Sequence, residues 1–256
     1  MTTVINGFRD AATMTRRELT HSLRSPGTAL IGLITPVFLL FMFVYVFGGS
    51  FTVGTAYVDY VAPGILMITA TYGCSMTAVR IAADMKEGIV DRFRTMAITR
   101  GSVLTGQVMG SVIRTSVECV LLLGILLLMG FRPTVDPLAW LAVAGLLVLV
   151  ILAITWVTVA GALLAKSPEG ASYSTILVVL LPFVSSAFAR TDTMPGPVRW
   201  FADNQPFTPI INTLRALFSG APVGHDWIVG VVWCAGFTIL GYAGAKLLFA
   251  RDRVRS

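Results

Sequence analysis

Charged residues are scarce in this sequence. Asp, Glu, Lys and Arg together make up 12% of its 256 residues, whereas apolar residues make up 55%. Soluble globular domains carry about 25% charged residues, which cover their surface. The composition therefore excludes an ordinary soluble protein and predicts an integral membrane protein.

Residues that bind metals or form disulfides are scarce too, with two histidines and three cysteines. His21 and His225 fall on opposite sides of the membrane in the topology derived below, so they cannot share a metal or a catalytic triad. Cys74, Cys119 and Cys234 lie inside apolar runs without metal-ligand spacing. We expect them to pack as small apolar residues, with no metal site and no disulfide.

The sequence also lacks a nucleotide-hydrolysing motif. The stretch GSVLTGQV at 101–108 is superficially like a phosphate loop, but Gln107 and Val108 stand where the motif requires Lys and Ser or Thr. A phosphate loop follows a strand, whereas this stretch precedes an apolar run. We therefore expect no catalytic residue and no cofactor bound by this chain.

Six apolar segments are long enough, or nearly so, to cross a membrane as helices of about 20 residues. They cover residues 29–47, 60–79, 108–129, 138–165, 172–189 and 227–245. Pro36 and Pro182 lie inside the first and fifth segments and should kink those helices. The pattern predicts an all-α integral membrane fold in one domain, 1–256, with six spans within 29–249 and a tail at 250–256.

The positive charges predict the orientation of the spans. Of the 19 Lys and Arg residues, 14 flank the spans on the side of the termini, and four lie on the other side: Arg132, Arg190, Arg199 and Arg215. Because the cytoplasmic flanks carry the excess, both termini should be cytosolic. The basic residues lie beside the ends of apolar runs and do not cluster on a soluble face, so no nucleic-acid partner is expected.

Residues 1–28 form a separate unit before the first span. Ile5, Phe8, Ala12, Leu19 and Leu23 can share one helical face while the basic residues point elsewhere. This pattern predicts an amphipathic helix on the inner leaflet. The alternative is a solvated basic tail.

A polar insert at 82–105 separates the second and third spans. Its charges cannot lie in hydrocarbon: Lys86, Glu87, Asp91, Arg92, Arg94 and Arg100. Ile89, Val90, Phe93 and Met96 recur at helical spacing, which predicts a short amphipathic helix on the cytosolic side. Such a helix could let a soluble partner push on the membrane domain.

Arg114 and Glu118 stand four residues apart in the third span and can reach each other. Either charge alone in hydrocarbon costs several kcal/mol, so we expect them to pair and face the protein interior. They could belong to a translocation path or gate, or form a structural clamp near the inner interface. A proton relay would need more acidic or His residues in the spans.

A short helix is predicted between the fifth and sixth spans, with Thr208 as N-cap, Pro209 in the first turn and Gly220 past the end. Its apolar face would carry Ile210, Ile211, Leu214, Leu217 and Phe218, and its opposite face Asn212, Arg215 and Ser219. About a dozen residues reach only about 18 Å, so the helix should enter or lie on the outer leaflet. It could cap the bundle or act directly at the exit.

Two stretches resemble a known family. DMKEGIVDRFRTMAITRGSVLTGQ at 84–107 is similar to the cytoplasmic loop of type-2 ABC export permeases, especially the daunorubicin-resistance type, and QPFTPIINTLRALFSG at 205–220 is similar to their outer motif. With six spans and cytosolic ends, the likeness covers the whole chain. Ala97 and Gln205 depart from the Pro and Asn that are common in the family.

The resemblance implies roles for particular residues. Contacts to a separate ATPase subunit would come from Glu87, Gly88, Asp91, Arg92, Phe93 and Arg94, and the outer gate would include Pro206, Thr208, Pro209, Leu214 and Arg215. It also implies two copies of the ATPase subunit, which would bind the ATP and Mg²⁺, and a second copy of this chain or a sister permease. The assembly would export an amphipathic drug or lipid across a bacterial inner membrane.

Two other functions fit parts of the sequence. A proton-driven exporter would work without an ATPase subunit. A membrane scaffold or assembly factor would show no substrate-dependent ATP turnover.

Overall fold

The computed structural model describes residues 26–48, 56–86, 100–165 and 167–251. Within these ranges the chain forms eight α-helices and no strand. They are α1 Pro26–Phe41, α2 Tyr57–Lys86, α3 Arg100–Leu128, α4 Pro137–Ala165, α5 Pro168–Leu180, α6 Gly196–Asn204, α7 Phe207–Ser219 and α8 Asp226–Arg251. The predicted all-α membrane fold is confirmed at this level. The amphipathic helix predicted for 1–28 lies outside the described residues, apart from the first turn of α1.

Among the described residues, four helices are long and apolar enough to cross a membrane: α2, α3 from Leu104, α4, and α8 as far as Leu248. The first and fifth predicted spans are helical as well, but their apolar helices are shorter, Gly32–Phe47 and Pro168–Val184. Each of the six predicted apolar segments therefore contains a helix, and four of these helices have spanning length.

Both predicted proline kinks fall in helices that change type. The first helix continues through Pro36 and becomes a π-helix at Met42–Phe47. The fifth helix changes to 3₁₀ geometry at Leu181–Val184, with Pro182 in its first turn. Pro182 has no amide hydrogen to donate, so a regular α-helix loses one hydrogen bond at this point.

The fifth span was predicted to continue to residue 189, and this prediction is wrong. The helix ends at Val184, and Ser185 is extended, with φ −131° and ψ −172°. The backbone can leave the helix because side chains bind the carbonyl groups that the helix no longer uses. Gln205 Nε2 donates to the Val184 carbonyl at 3.1 Å, and the Tyr57 hydroxyl donates to the Phe188 carbonyl at 3.1 Å.

The structure describes only the two ends of the insert at 82–105, for which a short amphipathic helix was predicted. Residues 82–86 belong to α2, and residues 100–105 belong to α3. The two spans therefore extend as helices into the polar insert. Residues 87–99 between them, which include all six predicted coupling residues, lie outside the described part of the chain.

Helix α2 lies at the centre of the bundle and packs against α1, α3, α4, α5 and α7. Leu66, Met67 and Ile68 are consecutive, yet each is at most 1% exposed, so protein surrounds this part of the helix. Helices α4 and α8 instead expose apolar side chains on their outer faces, such as Leu141 and Leu240. Those faces suit contact with lipid.

Helices α4 and α8 pack closely where Gly241 meets α4. A Cβ atom at Gly241 would lie 2.7 Å from the carbonyl carbon of Trp156 and 2.8 Å from the amide nitrogen of Val157. Neither backbone atom can move without displacing the helix. The absence of a side chain therefore sets the distance between these two helices.

We predict that Gly241→Ala lowers the free energy of unfolding by about 1 to 3 kcal/mol, because the added methyl group forces α8 away from α4. Unfolding in detergent micelles, followed by circular dichroism, measures the change. Gly236→Ala is the matched control on the same helix, since a Cβ there meets no atom within 4 Å among the described residues. Equal effects of the two variants would show that packing at Gly241 is not the cause.

Candidate functional site

The short outer helix α7 begins earlier than its sequence predicts. Pro206 is its N-cap residue and has helical angles, φ −66° and ψ −27°, so Phe207 already starts the helix. Thr208 is therefore not the N-cap, and that prediction is wrong. Its hydroxyl donates to the Ala202 carbonyl at 2.5 Å and accepts from the Ser186 amide at 3.3 Å. Thr208 thus links the start of α7 to α6 and to the turn after α5.

The end of α7 and its buried side are as predicted. Gly220 follows the last helical residue in the left-handed conformation, with φ 68°, which favours glycine. Pro209 and Leu214 are buried against the bundle, and Pro206 is half-buried. The proposed gate residues therefore lie together along one short helix.

Arg215 connects α7 to two other parts of the bundle. Its guanidinium group lies 4.0 Å from the centre of the Tyr60 ring on α2. It donates to the Ser186 carbonyl at 2.7 Å and to the Tyr60 carbonyl at 3.2 Å. One side chain thereby ties together α2, α7 and the non-helical turn after α5.

Asn212 extends this group of contacts to α8. Its side-chain oxygen accepts from Arg215 at 3.0 Å and from the Ser186 hydroxyl at 2.8 Å, while its amide donates to Asp226 at 3.0 Å. We call Tyr60, Ser186, Asn212, Arg215 and Asp226 the outer polar cluster. Because Asn212 and Arg215 contact protein, both faces of α7 pack against the bundle.

The outer polar cluster borders a cavity of about 650 Å³. Its lining consists of Asp59, Tyr60, Phe131, Arg132, Ser186, Arg190, Thr191, Asp192, Asn212, Arg215, Phe218 and Ser219. On its rim Arg190 donates to Asp192 at 2.7 Å and 3.2 Å, and these hydrogen bonds lower the pKa of the Asp192 carboxyl. Among the described residues, no three His, Cys, Asp or Glu side chains come together as metal ligands would.

The opposite side of α7 borders a second cavity, of about 490 Å³, between α4, α7 and α8. Leu146, Leu149, Leu217, Val223 and Trp227 contribute to its apolar lining. Helix α7 thus has a cavity with charged lining residues on one side and an apolar cavity on the other.

The predicted intramembrane pair is buried between α2 and α3. Arg114 lies 14 residues from each end of α3, so the pair is near the middle of the helix. Its Nε atom is 3.7 Å from Glu118 Oε1, and the two side chains are 14% and 6% exposed. Arg114 also donates to the Gly73 carbonyl at 2.9 Å and to the Thr77 hydroxyl at 2.7 Å on α2.

Helices α2 and α3 also pack closely around the Arg114–Glu118 pair. Thr77 shares a hydrogen bond of 2.8 Å with Ser111 of α3. A Cβ atom at Gly73 would lie 2.7 Å from both Glu118 Oε2 and Thr115 Oγ1, so a larger residue would force the helices apart. Arg114, Glu118, Gly73 and Thr77 form what we call the central clamp between α2 and α3.

Sequence reasoning missed three members of the outer polar cluster, namely Tyr60, Ser186 and Asp226. The spacing of Asn212 three residues before Arg215 was a usable signal, because it places both on one helical face. Tyr60 lies 155 residues from Arg215 in the chain, and no local pattern joins them.

Comparison with protein families gives a match over residues 9–219 to the model described as ABC-2 type transporter. Daunorubicin resistance ABC transporter permease protein DrrB1 of Streptomyces coeruleorubidus is 30% identical over 251 residues, which cover 93% of this chain and 85% of that protein. Probable doxorubicin resistance ABC transporter permease protein DrrC of Mycobacterium tuberculosis is 24% identical, over 88% of this chain and 83% of its own.

A third relative is a putative transport permease of Porphyra purpurea. The putative transport permease ycf38 of Porphyra purpurea is 25% identical over 256 residues, which cover 94% of this chain and 84% of that protein. The similarity to these three proteins extends over most of each chain.

We predict that the two halves of the Arg114–Glu118 pair differ in their effect on stability. Arg114→Met leaves a carboxylate buried without its cation and should cost about 3 to 5 kcal/mol of unfolding free energy. Glu118→Gln should cost less, since Arg114 keeps its hydrogen bonds to Gly73 and Thr77. The double variant should be more stable than Arg114→Met alone, as measured by denaturant titration in micelles.

The exposed pair Arg190–Asp192 supplies the control for this double-mutant cycle. Arg190→Gln should change the unfolding free energy little, because water solvates both partners. Additive effects of the Arg114 and Glu118 substitutions would contradict a coupled pair.

Proposed function

The chain belongs to the ABC-2 type transporter family, and on that premise we propose that it is the membrane-spanning permease subunit of an ATP-driven exporter. A separate subunit would bind ATP and Mg²⁺ and hydrolyse the nucleotide. The cargo would be an amphipathic drug or lipid. Two relatives carry names that refer to daunorubicin and doxorubicin resistance, which supports this class of cargo.

The observation that carries the proposal is the length and position of α2. This single helix has 30 residues, so it reaches about 45 Å, which exceeds the bilayer's hydrocarbon core of about 30 Å. Its first turns contain Tyr60 of the outer polar cluster, and its last residue, Lys86, enters the charged insert. A force applied at the insert would therefore reach the outer surface through one continuous helix.

The central clamp makes α2 and α3 a single mechanical unit. Arg114 binds two groups on α2 at mid-membrane, and α3 begins at the other end of the insert. Both helices leaving the insert would thus move together. A coupling loop needs this arrangement, because a force on the insert would then displace α2 and α3 together without separating the two helices.

In the proposed assembly, two ATPase subunits contact the inserts of two permease subunits, which are copies of this chain or sister proteins. Glu87, Gly88, Asp91, Arg92, Phe93 and Arg94 would make those contacts. ATP binding would favour one arrangement of the permease pair by a few kcal/mol, and hydrolysis would restore the other. Pro206, Thr208, Pro209, Leu214 and Arg215 would belong to the outer gate.

We further propose six membrane crossings with both termini in the cytosol of a bacterial cell. The 16 residues of α1 and the six-residue π-helix after it together span about 30 Å. The 13 residues of α5 and the four-residue 3₁₀ turn span about 27 Å. Both lengths are close to the thickness of the hydrocarbon core, and α6 and α7 would then be short outer-leaflet helices.

Cysteine labelling tests this topology. The native Cys74, Cys119 and Cys234 are at most 3% exposed and should not react. In intact cells a membrane-impermeant maleimide should label Asp203→Cys on α6, whereas it should label Glu169→Cys at the start of α5 only after permeabilisation. The chain without added cysteine is the control, and the reverse pattern would exclude cytosolic termini.

Charge reversal in the insert tests coupling. Glu87→Lys and Arg92→Glu should each abolish the stimulation of the partner ATPase, because the insert would no longer match its docking surface. Membrane insertion should be unchanged. The measurement is ATP hydrolysis by the copurified complex in liposomes, with and without an amphipathic drug such as daunorubicin.

Arg199→Glu on the exposed surface of α6 is the matched control, since it reverses one charge on the opposite side of the membrane. If both insert variants stimulate hydrolysis as the parent does, the insert is not the coupling element. Transport by the purified chain in the absence of any ATPase would exclude the proposed function and favour a proton-driven exporter.

A further inference from the structure

Arg215 is a largely buried cation without an acidic partner. Among the residues that the structure describes, no carboxylate forms an ion pair with it. Its hydrogen bonds go to two backbone carbonyls and to the side-chain oxygen of Asn212. Buried charges in proteins are normally paired, because removal from water disfavours the charged form. Asp226 is linked to Arg215 through the side chain of Asn212, so the positive charge has no direct ion pair among the described residues.

The Arg215 side chain lines the outer cavity and is not enclosed by protein on every side. The cavity volume of about 650 Å³ lies within the range of small-molecule binding sites, about 300 to 1,000 Å³. Arg215 lines its inner end together with Tyr60 and Asn212. A ligand in the cavity could thus approach the guanidinium group directly.

The remaining charges around the cavity also favour an anion. Three arginines and two aspartates line it. Arg190 and Asp192 bind each other through two hydrogen bonds and neutralise one another. Asp59 accepts from the Arg132 amide at 3.2 Å, and its single negative charge stands against the two positive charges of Arg132 and Arg215. The lining therefore has a net positive charge.

Two aromatic side chains of the lining, Phe131 and Phe218, are 3% and 4% exposed. The rings of Phe131 and Phe218 lie edge to face, with centroids 5.2 Å apart. This part of the lining adjoins the loop that follows α3, at the level where α2 begins and α3 ends. These helix ends mark the outer boundary of the bundle. Aromatic side chains at such a boundary contact the part of an amphiphile where the polar headgroup meets the apolar chain.

We propose that the outer cavity binds the anionic headgroup of an amphiphile. Arg215 and Arg132 supply the positive charge, and the apolar portion of the lining, which includes Phe131 and Phe218, contacts the adjoining part of the ligand. The shared chemistry is a phosphate-like anion joined to an apolar chain. This inference concerns binding alone and holds whether or not an ATPase drives the chain.

Titration with matched lipids tests the inference. The purified full chain in dodecyl maltoside micelles is titrated with dihexanoyl phosphatidic acid, dihexanoyl phosphatidylcholine and inorganic phosphate, and binding is measured by native mass spectrometry. Phosphatidic acid should bind about tenfold more tightly than phosphatidylcholine, because charge-assisted hydrogen bonds to arginine form only with the exposed phosphate. Inorganic phosphate should also bind about tenfold more weakly, because it lacks an apolar part to contact the apolar portion of the cavity lining.

Two variants locate the binding in this cavity without altering Arg215. Ser219→Phe fills the cavity from the exposed end of α7 and should weaken phosphatidic acid binding by about tenfold or more. Arg132→Gln removes one rim charge and should weaken it by about two- to fivefold. Arg199→Gln, an exposed arginine on α6 that does not line the cavity, is the control and should bind as the parent does.

Three results would overturn the proposal. Equal binding of phosphatidic acid and phosphatidylcholine would exclude recognition of an anion. Inorganic phosphate that competes as well as phosphatidic acid would exclude an amphiphile. Unchanged binding in both Ser219→Phe and Arg132→Gln would place the lipid elsewhere on the protein.

Discussion

The outer half of this bundle depends on the satisfaction of backbone carbonyl groups where the chain leaves its fifth apolar helix. Lipid offers no hydrogen bonds, so non-helical backbone at membrane depth needs protein partners. Here side chains supply them: Ser185 to Pro182, Gln205 to Val184, Arg215 to Ser186 and Tyr57 to Phe188. Arg215 matters most, because it also binds the Tyr60 carbonyl on α2 and Asn212 on its own helix. The short outer helices, the cavity and the position of α7 all follow from these contacts.

The middle of the bundle depends on a different constraint, the close approach of α2 and α3. Gly73 lets Glu118 and Thr115 come against α2, and Arg114 then reaches the Gly73 carbonyl. The ion pair and the hydrogen bonds lie in the same narrow interface. Sliding one helix past the other would break the hydrogen bonds from Arg114 to Gly73 and Thr77, and lipid offers no substitutes for them. This interface is therefore rigid along the membrane normal.

The sequence allowed prediction of the helices but not of the contacts between them. Long apolar runs and their charged flanks located all six apolar helices, and the i, i+4 spacing brought Arg114 together with Glu118. The end of α5 could not be predicted, because apolar residues continue beyond Val184 and the cause of the break lies in Gln205, Arg215 and Tyr57. Thr208 suited an N-cap by type, but Pro206 already had helical angles. Pairings across more than a hundred residues, such as Tyr57 with Phe188, leave no local pattern.

These two constraints together limit how the protein can open. Separating α7 from the turn after α5 would break the hydrogen bonds from Arg215 to the Ser186 and Tyr60 carbonyls. Leaving these buried carbonyls without a donor would cost several kcal/mol of free energy. Separating α2 from α3 would expose a buried ion pair. A movement that keeps both sets of contacts carries α2, α3, the turn after α5 and α7 as one body. In the proposed exporter, a path for cargo would then form at the edge of that body, where the described contacts are apolar and can be exchanged for contacts with lipid or with a second subunit.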